Sequence, residues 1–324
     1  MFNIAVIGAT GLVGRKTLQI IEEFGLQNNN FCLFASKKSV GKKLKIGGKK
    51  YTVEFLDKNN LDKQKFDFAL FCVKEDVSKI YVPNLAKRGT KVIDFSSLYR
   101  KKYPLIVPEI NFIDVQNSNI ICNPNCSTAE SVMALNLISK KFGLESVRYS
   151  TYQAVSGAGQ KALKDFNQTN PAKLKKLDYP IVSNVIPYIG QIDKDGYSGE
   201  ENKMMFETKK ILHLFDTKIS ATCIRVPVKN CHTIVIDFTT KKAATIAKLE
   251  QILTSSPGVR YSKEIFPMPM LANGQNDVFV GRLRQNRDIK NSFSMVVCAD
   301  NLRKGASLNA VQILKKLIEA KNEI

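Results

Sequence analysis

Short apolar runs alternate with helical stretches through the first part of the chain. Residues 3–7, 31–35, 68–73 and 91–95 are rich in Val, Ile and Phe and end in turn chemistry, which is how buried parallel strands read. Between the first two runs, Leu18, Ile21 and Phe24 recur at helical spacing. The expected architecture is α/β, a doubly wound, Rossmann-like sheet with helices on both faces. A further helix is expected over 127–143, carrying Val132, Leu135 and Ile138 and capped by Gly143. Beyond it the pattern changes. Strand-like segments at 147–154, 222–228, 233–238, 277–283 and 293–299 lack a regular helix between each pair, which predicts a second, α+β domain with a largely antiparallel sheet. Residues 165–200, punctuated by Pro171, Pro180, Pro187, Gly190, Gly196 and Gly199, read as loops and short helices. A final amphipathic helix carries Leu308, Val311, Leu314 and Ile318.

A length of 324 residues fits about two domains, and 44% hydrophobic with 24% charged residues is ordinary for a globular protein. No run approaches the roughly 18 apolar residues of a membrane span. The apolar start lacks a basic leader and reads as a first strand rather than a signal peptide, so a cytoplasmic protein with no membrane partner is expected. The formal charge of +20 raises the question of nucleic acid. The lysines are scattered singly and in pairs, with no aromatic-interleaved stripe for stacking bases, so no nucleic-acid partner is expected; charge of this sign instead favours capture of small anions. Seven cysteines, no C-x-x-C pair and only two histidines imply neither a disulfide framework nor a metal site.

Candidate chemistry begins with Gly8-Ala-Thr-Gly11-Leu-Val-Gly14, which follows a strand and opens a helix. Glycines allow the tight turn and the close approach of backbone to pyrophosphate, and the helix start offers unpaired N–H groups. The spacing is one residue longer than the dinucleotide fingerprint. At the end of the second strand, Ser36-Lys37-Lys38-Ser39 lacks the carboxylate that would meet a ribose 2′-hydroxyl. Two hydroxyls and two ammonium groups suit a 2′-phosphate, which favours NADP.

Asn123-Pro-Asn-Cys126-Ser-Thr128 places a thiol at a helix start. A free cysteine with a pKa of about 8.5 is only about 3% thiolate at neutral pH, and a helix N-terminus or a cationic neighbour is expected to lower that pKa. The N–H groups there are also placed to stabilise an oxyanion. Of the two histidines, His213 lies in a helical run, whereas His232 opens an apolar strand at a loop junction, where active-site groups often appear. Packing or capping is the other reading of each residue.

Taken together, these segments resemble the aspartate-semialdehyde dehydrogenases over nearly the whole chain. The likeness is carried by Gly8 to Gly14, Phe95-Ser-Ser-Leu-Tyr-Arg100, Val107-Pro-Glu-Ile-Asn111, the Cys126 segment, Tyr152-Gln-Ala-Val-Ser-Gly-Ala-Gly159, Glu200-Glu-Asn-Lys-Met204, Arg225-Val-Pro-Val228 with His232, and Asp300-Asn-Leu-Arg-Lys-Gly305. The resemblance implies an NADP-dependent oxidoreductase that reduces β-aspartyl phosphate through a Cys126 thioester, in the synthesis of lysine, diaminopimelate, threonine and methionine. It makes His232 the acid/base and lets Gln153 position the acyl group. Arg225 would meet the α-carboxylate and Glu200 the α-ammonium, with Arg100, Lys203 and Asn125 around the phosphate. Gly8, Thr10, Gly11, Leu12, Val13, Ser36, Lys38, Ser39, Ser156, Gly157 and Asn301 would contact the cofactor. No metal is implied. Many members carry an arginine where this chain has Lys37-Lys38, which leaves the strength of the NADP preference open. The family further implies a nucleotide domain of residues 1–128 with 302–324 and a catalytic and dimerisation domain of residues 129–301, assembled as a homodimer, with a tetramer as the other assembly. Two alternatives stand beside this reading: an N-acetyl-glutamyl-phosphate reductase, and a non-catalytic basic protein binding nucleotide or nucleic acid.

Overall fold

A computed structural model describes residues 1–323 and separates the chain into two compact units, 1–124 with 306–324 and 125–305. The division falls just before Cys126 and just after Gly305, where the sequence reading cuts at 128 and 301. The helix that starts at Cys126 thus stays whole in the second unit.

The first unit is built from β1 (Asn3–Ile7), α1 (Leu12–Glu23), β2 (Asn30–Ala35), β3 (Lys43–Ile46), β4 (Lys49–Phe55), α2 (Lys58–Asp62), β5 (Phe68–Phe71), α3 (Glu75–Lys87), β6 (Lys91–Asp94), α4 (Pro108–Asn111) and β7 (Ile120–Cys122). Its seven strands lie in the order β3-β4-β2-β1-β5-β6-β7 and pair in parallel except at the β3–β4 hairpin. β1, β5 and β6 are almost wholly buried, so their apolar runs feed cores on both faces of the sheet. The C-terminal helix, Leu308–Asn322, packs Leu308, Val311, Leu314 and Ile318 onto the same core as β1 and α1. Asn309 anchors it, donating from Nδ2 to the Ile106 carbonyl and to Asn123 Oδ1, each at 2.8 Å.

The second unit comprises α5 (Cys126–Phe142), β8 (Leu144–Gln153), α6 (Gln160–Asp165), α7 (Gly199–Leu212), β9 (Lys218–Arg225), β10 (His232–Thr240), α8 (Ile246–Ser255), β11 (Val259–Ser262), α9 (Pro269–Ala272), β12 (Val278–Gln285) and β13 (Ser292–Ala299). Its six strands run β11-β12-β13-β10-β8-β9. The three central pairings are antiparallel and the two outer ones, β11–β12 and β8–β9, are parallel. α5 is buried along nearly its whole length, which explains why small and apolar residues run around all its faces. His213, expected inside a helix, is instead the left-handed residue that ends α7, with φ 54°.

Candidate active site

In the first unit, residues 8–11 form the turn between β1 and α1. Gly8 has φ +81°, and a Cβ there would lie 2.5 Å from the Cys72 carbonyl oxygen, so only glycine fits. Gly11 caps α1 with no side-chain hydrogen bond, leaving the N–H groups of the first turn, from Leu12 and Val13 onward, without competition from a side-chain oxygen. Thr10 Oγ1 lies 3.2 Å from Ser39 Oγ, which ties the glycine turn to the Ser36-Lys37-Lys38-Ser39 segment. Ser36, Lys37 and Lys38 are exposed there. This cradle fits a dinucleotide: close backbone at the pyrophosphate, hydroxyl and ammonium groups at the ribose. Arg100 also lies in the first unit, buried, with Nη2 donating to the Phe95 carbonyl at 2.8 Å.

In the second unit the sheet register gathers the chemistry at one edge. Arg225, the last residue of β9, stands beside Gln153, the last of β8; His232 opens β10 opposite Ala299, the end of β13. The start of α5 meets them. Cys126 Sγ is 3.1 Å from His232 Nε2. Asn125 caps α5, its Oδ1 accepting from the Thr128 N–H at 3.2 Å. Two carboxylates of α7 hold Asn125: Glu207 Oε2 accepts its backbone N–H and Glu200 Oε1 its side-chain amide, both at 2.7 Å. Lys203 Nζ lies 2.9 Å from Glu200 Oε2.

The backbone of Ala154 organises the rest. The Ala154 N–H donates to His232 Nδ1 at 3.0 Å, while Arg225 Nη1 donates to the Ala154 carbonyl at 2.6 Å. Gly157 leaves room for both side chains, since a Cβ on it would lie 3.2 Å from Arg225 Nη1 and 3.4 Å from His232 Nε2. Asn301 braces the approach to His232: Oδ1 accepts from the Cys231 N–H and Nδ2 donates to Ser156 Oγ, both at 2.9 Å. Cys231 itself holds φ +73°, a left-handed conformation unusual for a residue with a side chain. Gln153 is buried and its Nε2 has no hydrogen-bond partner, a donor left available at the site.

The electrostatics correct one expectation. The Cys126 thiol is raised, not lowered: burial is the largest cause, followed by the neighbouring carboxyl groups of Glu200 and Glu130, against which Arg225 and the Ser127 N–H pull it down. Helix position alone does not decide a thiol with carboxylates nearby. Burial works to raise Glu200 too, but Lys203, Asn125 and Arg225 outweigh it and bring the carboxyl to about 2. Glu200 is thus an anion at any working pH.

Sequence reasoning missed Glu207 and Glu130. Glu207 stands seven residues, two helical turns, from Glu200, a same-face spacing that the sequence displays; Glu130 is the only acid among the buried residues of α5.

Two family models match the chain: semialdehyde dehydrogenase, NAD binding domain, over residues 3–118, and semialdehyde dehydrogenase, dimerisation domain, over residues 135–304. An aspartate-semialdehyde dehydrogenase of Aquifex aeolicus is 43% identical, covering 98% of each chain. This chain belongs to the aspartate-semialdehyde dehydrogenase family. The structure of aspartate-semialdehyde dehydrogenase II of Vibrio cholerae complexed with ASA superposes with a TM-score of 0.93 at 34% identity, covering 98% of each chain. That of a Candida albicans aspartate-semialdehyde dehydrogenase with NADP gives 0.78 at 25% identity over the full length of both. As a member of the aspartate-semialdehyde dehydrogenase family, the protein is an NAD(P)-dependent oxidoreductase acting on an aldehyde. Among the described residues no cluster of potential metal ligands occurs, and no helix is long and apolar enough to cross a membrane.

Proposed function

We propose that the protein reduces β-aspartyl phosphate to aspartate semialdehyde and phosphate with NADPH, using Cys126 as the nucleophile that carries the acyl group as a thioester. The observation that carries this reading is the 3.1 Å approach of Cys126 Sγ to His232 Nε2 at the start of α5, with a buried guanidinium and a buried carboxylate beside it. The substrate bears a carboxylate, an ammonium and a phosphate. Arg225 supplies a planar fork for the carboxylate, Glu200 an anion for the ammonium, and Lys203 a cation for the phosphate, a task that the family motif also gives to Arg100. Asn125 holds the helix start at which the sulfur reacts, and the unpartnered Gln153 amide is a donor for the acyl oxygen. When bound, NADPH supplies the hydride that reduces the thioester. Gly8, Thr10, Gly11, Leu12, Val13, Ser36, Lys38 and Ser39 are the residues proposed to hold it, joined by Ser156, Gly157 and Asn301. The Lys37-Lys38 pair supports a preference for the 2′-phosphate of NADP. A cytoplasmic homodimer completes the reading.

Glu200 weighs against an N-acetylated substrate, which has no ammonium to meet a carboxylate held ionised. The deciding assay is phosphate-dependent reduction of NADP by the semialdehyde, paired with mass spectrometry of enzyme mixed with acyl substrate in the absence of cofactor. The expected result is turnover that vanishes in Cys126→Ala and an acyl adduct on Cys126. Faster turnover of the N-acetylated glutamyl substrate, or an adduct on another residue, overturns the assignment.

A further inference from the structure

We propose that Asp94 is a positioning residue for phosphoryl capture, its carboxylate fixing the turn after β6 that aims Arg100. The inference rests on the reading of Arg100 as a cation for the phosphate, and it gives a part to a buried acid that the proposed reaction does not otherwise use.

Asp94 ends β6 with its side chain fully buried. Three donors converge on the carboxylate. Oδ1 accepts from Ser78 Oγ at 2.7 Å and from the Ser96 N–H at 3.2 Å, and Oδ2 accepts from Ser96 Oγ at 2.6 Å. The bond to the N–H two residues on is an Asx turn, which bends the chain as soon as the strand ends. Ser96 Oγ in turn accepts from the Leu98 N–H at 3.4 Å, carrying the bend into the following residues. Ser78 lies in α3, and Glu75 of the same helix accepts from Ser97 Oγ. A helix and a strand therefore hold the turn from two directions.

The link to Arg100 runs through the peptide group between Phe95 and Ser96. Its N–H and carbonyl belong to one planar trans unit and point in opposite directions. Asp94 holds the N–H end, and Arg100 Nη2 donates to the carbonyl end at 2.8 Å. Rotating that peptide breaks both bonds at once. A guanidinium grips a phosphoryl group through two parallel N–H bonds, which requires its plane to be set beforehand. Arg100 is buried, so protein contacts rather than solvent set that plane. The charges also communicate: burial pushes the Asp94 carboxyl up, while hydrogen bonds from Ser96 and Ser78, and then the charge of Arg100, draw it down. An asparagine here brings one acceptor oxygen to a place where two oxygens serve three donors, and no charge.

The test is a 31P NMR titration of the full protein with inorganic phosphate in the presence of NADP, alongside phosphate-dependent reduction of NADP by the semialdehyde. Asp94→Asn is expected to weaken phosphate binding and raise the phosphate KM at least about tenfold, with kcat at saturating phosphate, the semialdehyde KM and NADPH affinity each within about twofold. Added to Arg100→Ala, the same substitution is expected to cost less than about twofold more, because a residue that acts through Arg100 then has nothing to position. Should Asp94→Asn fold poorly, Ser78→Ala removes one bond to the carboxylate from outside the turn, and a smaller but equally selective loss of phosphate affinity is expected. Equal losses for all ligands, lowered stability with phosphate affinity unchanged, or additive effects in the double variant overturn the proposal. If Arg100→Ala binds phosphate as the parent does, the assignment of Arg100 fails and the proposal with it; if Arg100→Ala is impaired and Asp94→Asn is not, the proposal alone falls. Phosphate binding needs no turnover, so a protein that fails to reduce NADP with the semialdehyde would remove the reaction while the titration still judges Asp94.

Discussion

Glu130 lies one helical turn beyond Cys126, fully buried, with neither carboxyl oxygen in a hydrogen bond. A Cβ on Gly305 would be 2.8 Å from Cys126 Cβ and 2.9 Å from Glu130 Oε1, so a glycine backbone is what fits over both. A lone carboxylate in such a place costs several kcal/mol, and the group keeps its proton instead. Burial, and then the charge of Asp300, push the Glu130 carboxyl well above its ordinary range. The linkage has a definite sign. With the folded pKa above the unfolded one, the folded state holds the extra proton, so stability is fully present below the unfolded value and declines as pH rises toward the folded value. The slope is about 1.4 kcal/mol per pH unit for one proton. Glu130→Gln removes that slope, because an amide does not titrate. Its stability relative to the parent is therefore expected to rise between about pH 5 and pH 8 in denaturant titrations, and parallel curves would show that Glu130 is ionised in the fold. Residue chemistry of this kind was only partly legible in the sequence. Cys126 and His232 stood out by their places at a helix start and a strand start, whereas Glu207 and Glu130 looked like the solvated acids that most helices carry. Their role depends on which helix face is covered, and that is decided by residues far away in the chain.

Among elements, the β1–α1 turn depends on how closely its two ends approach. Gly14 sits in the first turn of α1 with a conformation open to any residue, yet a Cβ there would lie 2.9 Å from Ala9 Cα and collide with the Gly8 carbonyl oxygen. Gly14→Ala must therefore displace α1 or the glycine turn, at a cost of about 1–3 kcal/mol. Because the turn is the proposed pyrophosphate seat, NADPH affinity measured by fluorescence titration is expected to fall at least about tenfold along with the thermal midpoint. Unchanged affinity would place the pyrophosphate elsewhere. The glycine spacing that betrays this turn was readable because local backbone sterics impose it. The β3–β4 hairpin escaped notice, although Lys43-Leu-Lys-Ile46 alternates and Gly47-Gly48 makes the turn, because lysine-rich edge strands offer little apolar signal. β7, three residues long, is too short for any periodicity. The parallel pairing of β8 with β9 was likewise hidden, since strand direction there is set by the long excursion between Gln153 and Lys218 rather than by the strands themselves.

At the scale of the whole molecule, 49 Lys and Arg against 29 Asp and Glu leave a net charge that local pairing does not cancel. Several lysines are used in place, as Lys203 is with Glu200 and Lys321 with Asp67 at 2.6 Å. Many of the others face solvent, and their common effect is a positive field. The proposed reactants are all anionic. A field of that sign raises the encounter rate with such ligands but does nothing for the bond-making step, so it enters kcat/KM and leaves kcat alone. The field is screened within about 10 Å at 0.1 M salt and about 3 Å at 1 M. Sodium chloride raised from about 0.05 to 0.5 M is thus expected to lower kcat/KM at least severalfold at constant kcat, the full effect of steering being roughly 10- to 1000-fold. Chloride serves better than sulfate or phosphate here, because those ions compete at the proposed phosphate position. Were kcat/KM flat across that range, the lysines would act as a solvating coat, and capture of the substrate would rest on Arg225, Glu200 and Lys203 at contact distance alone.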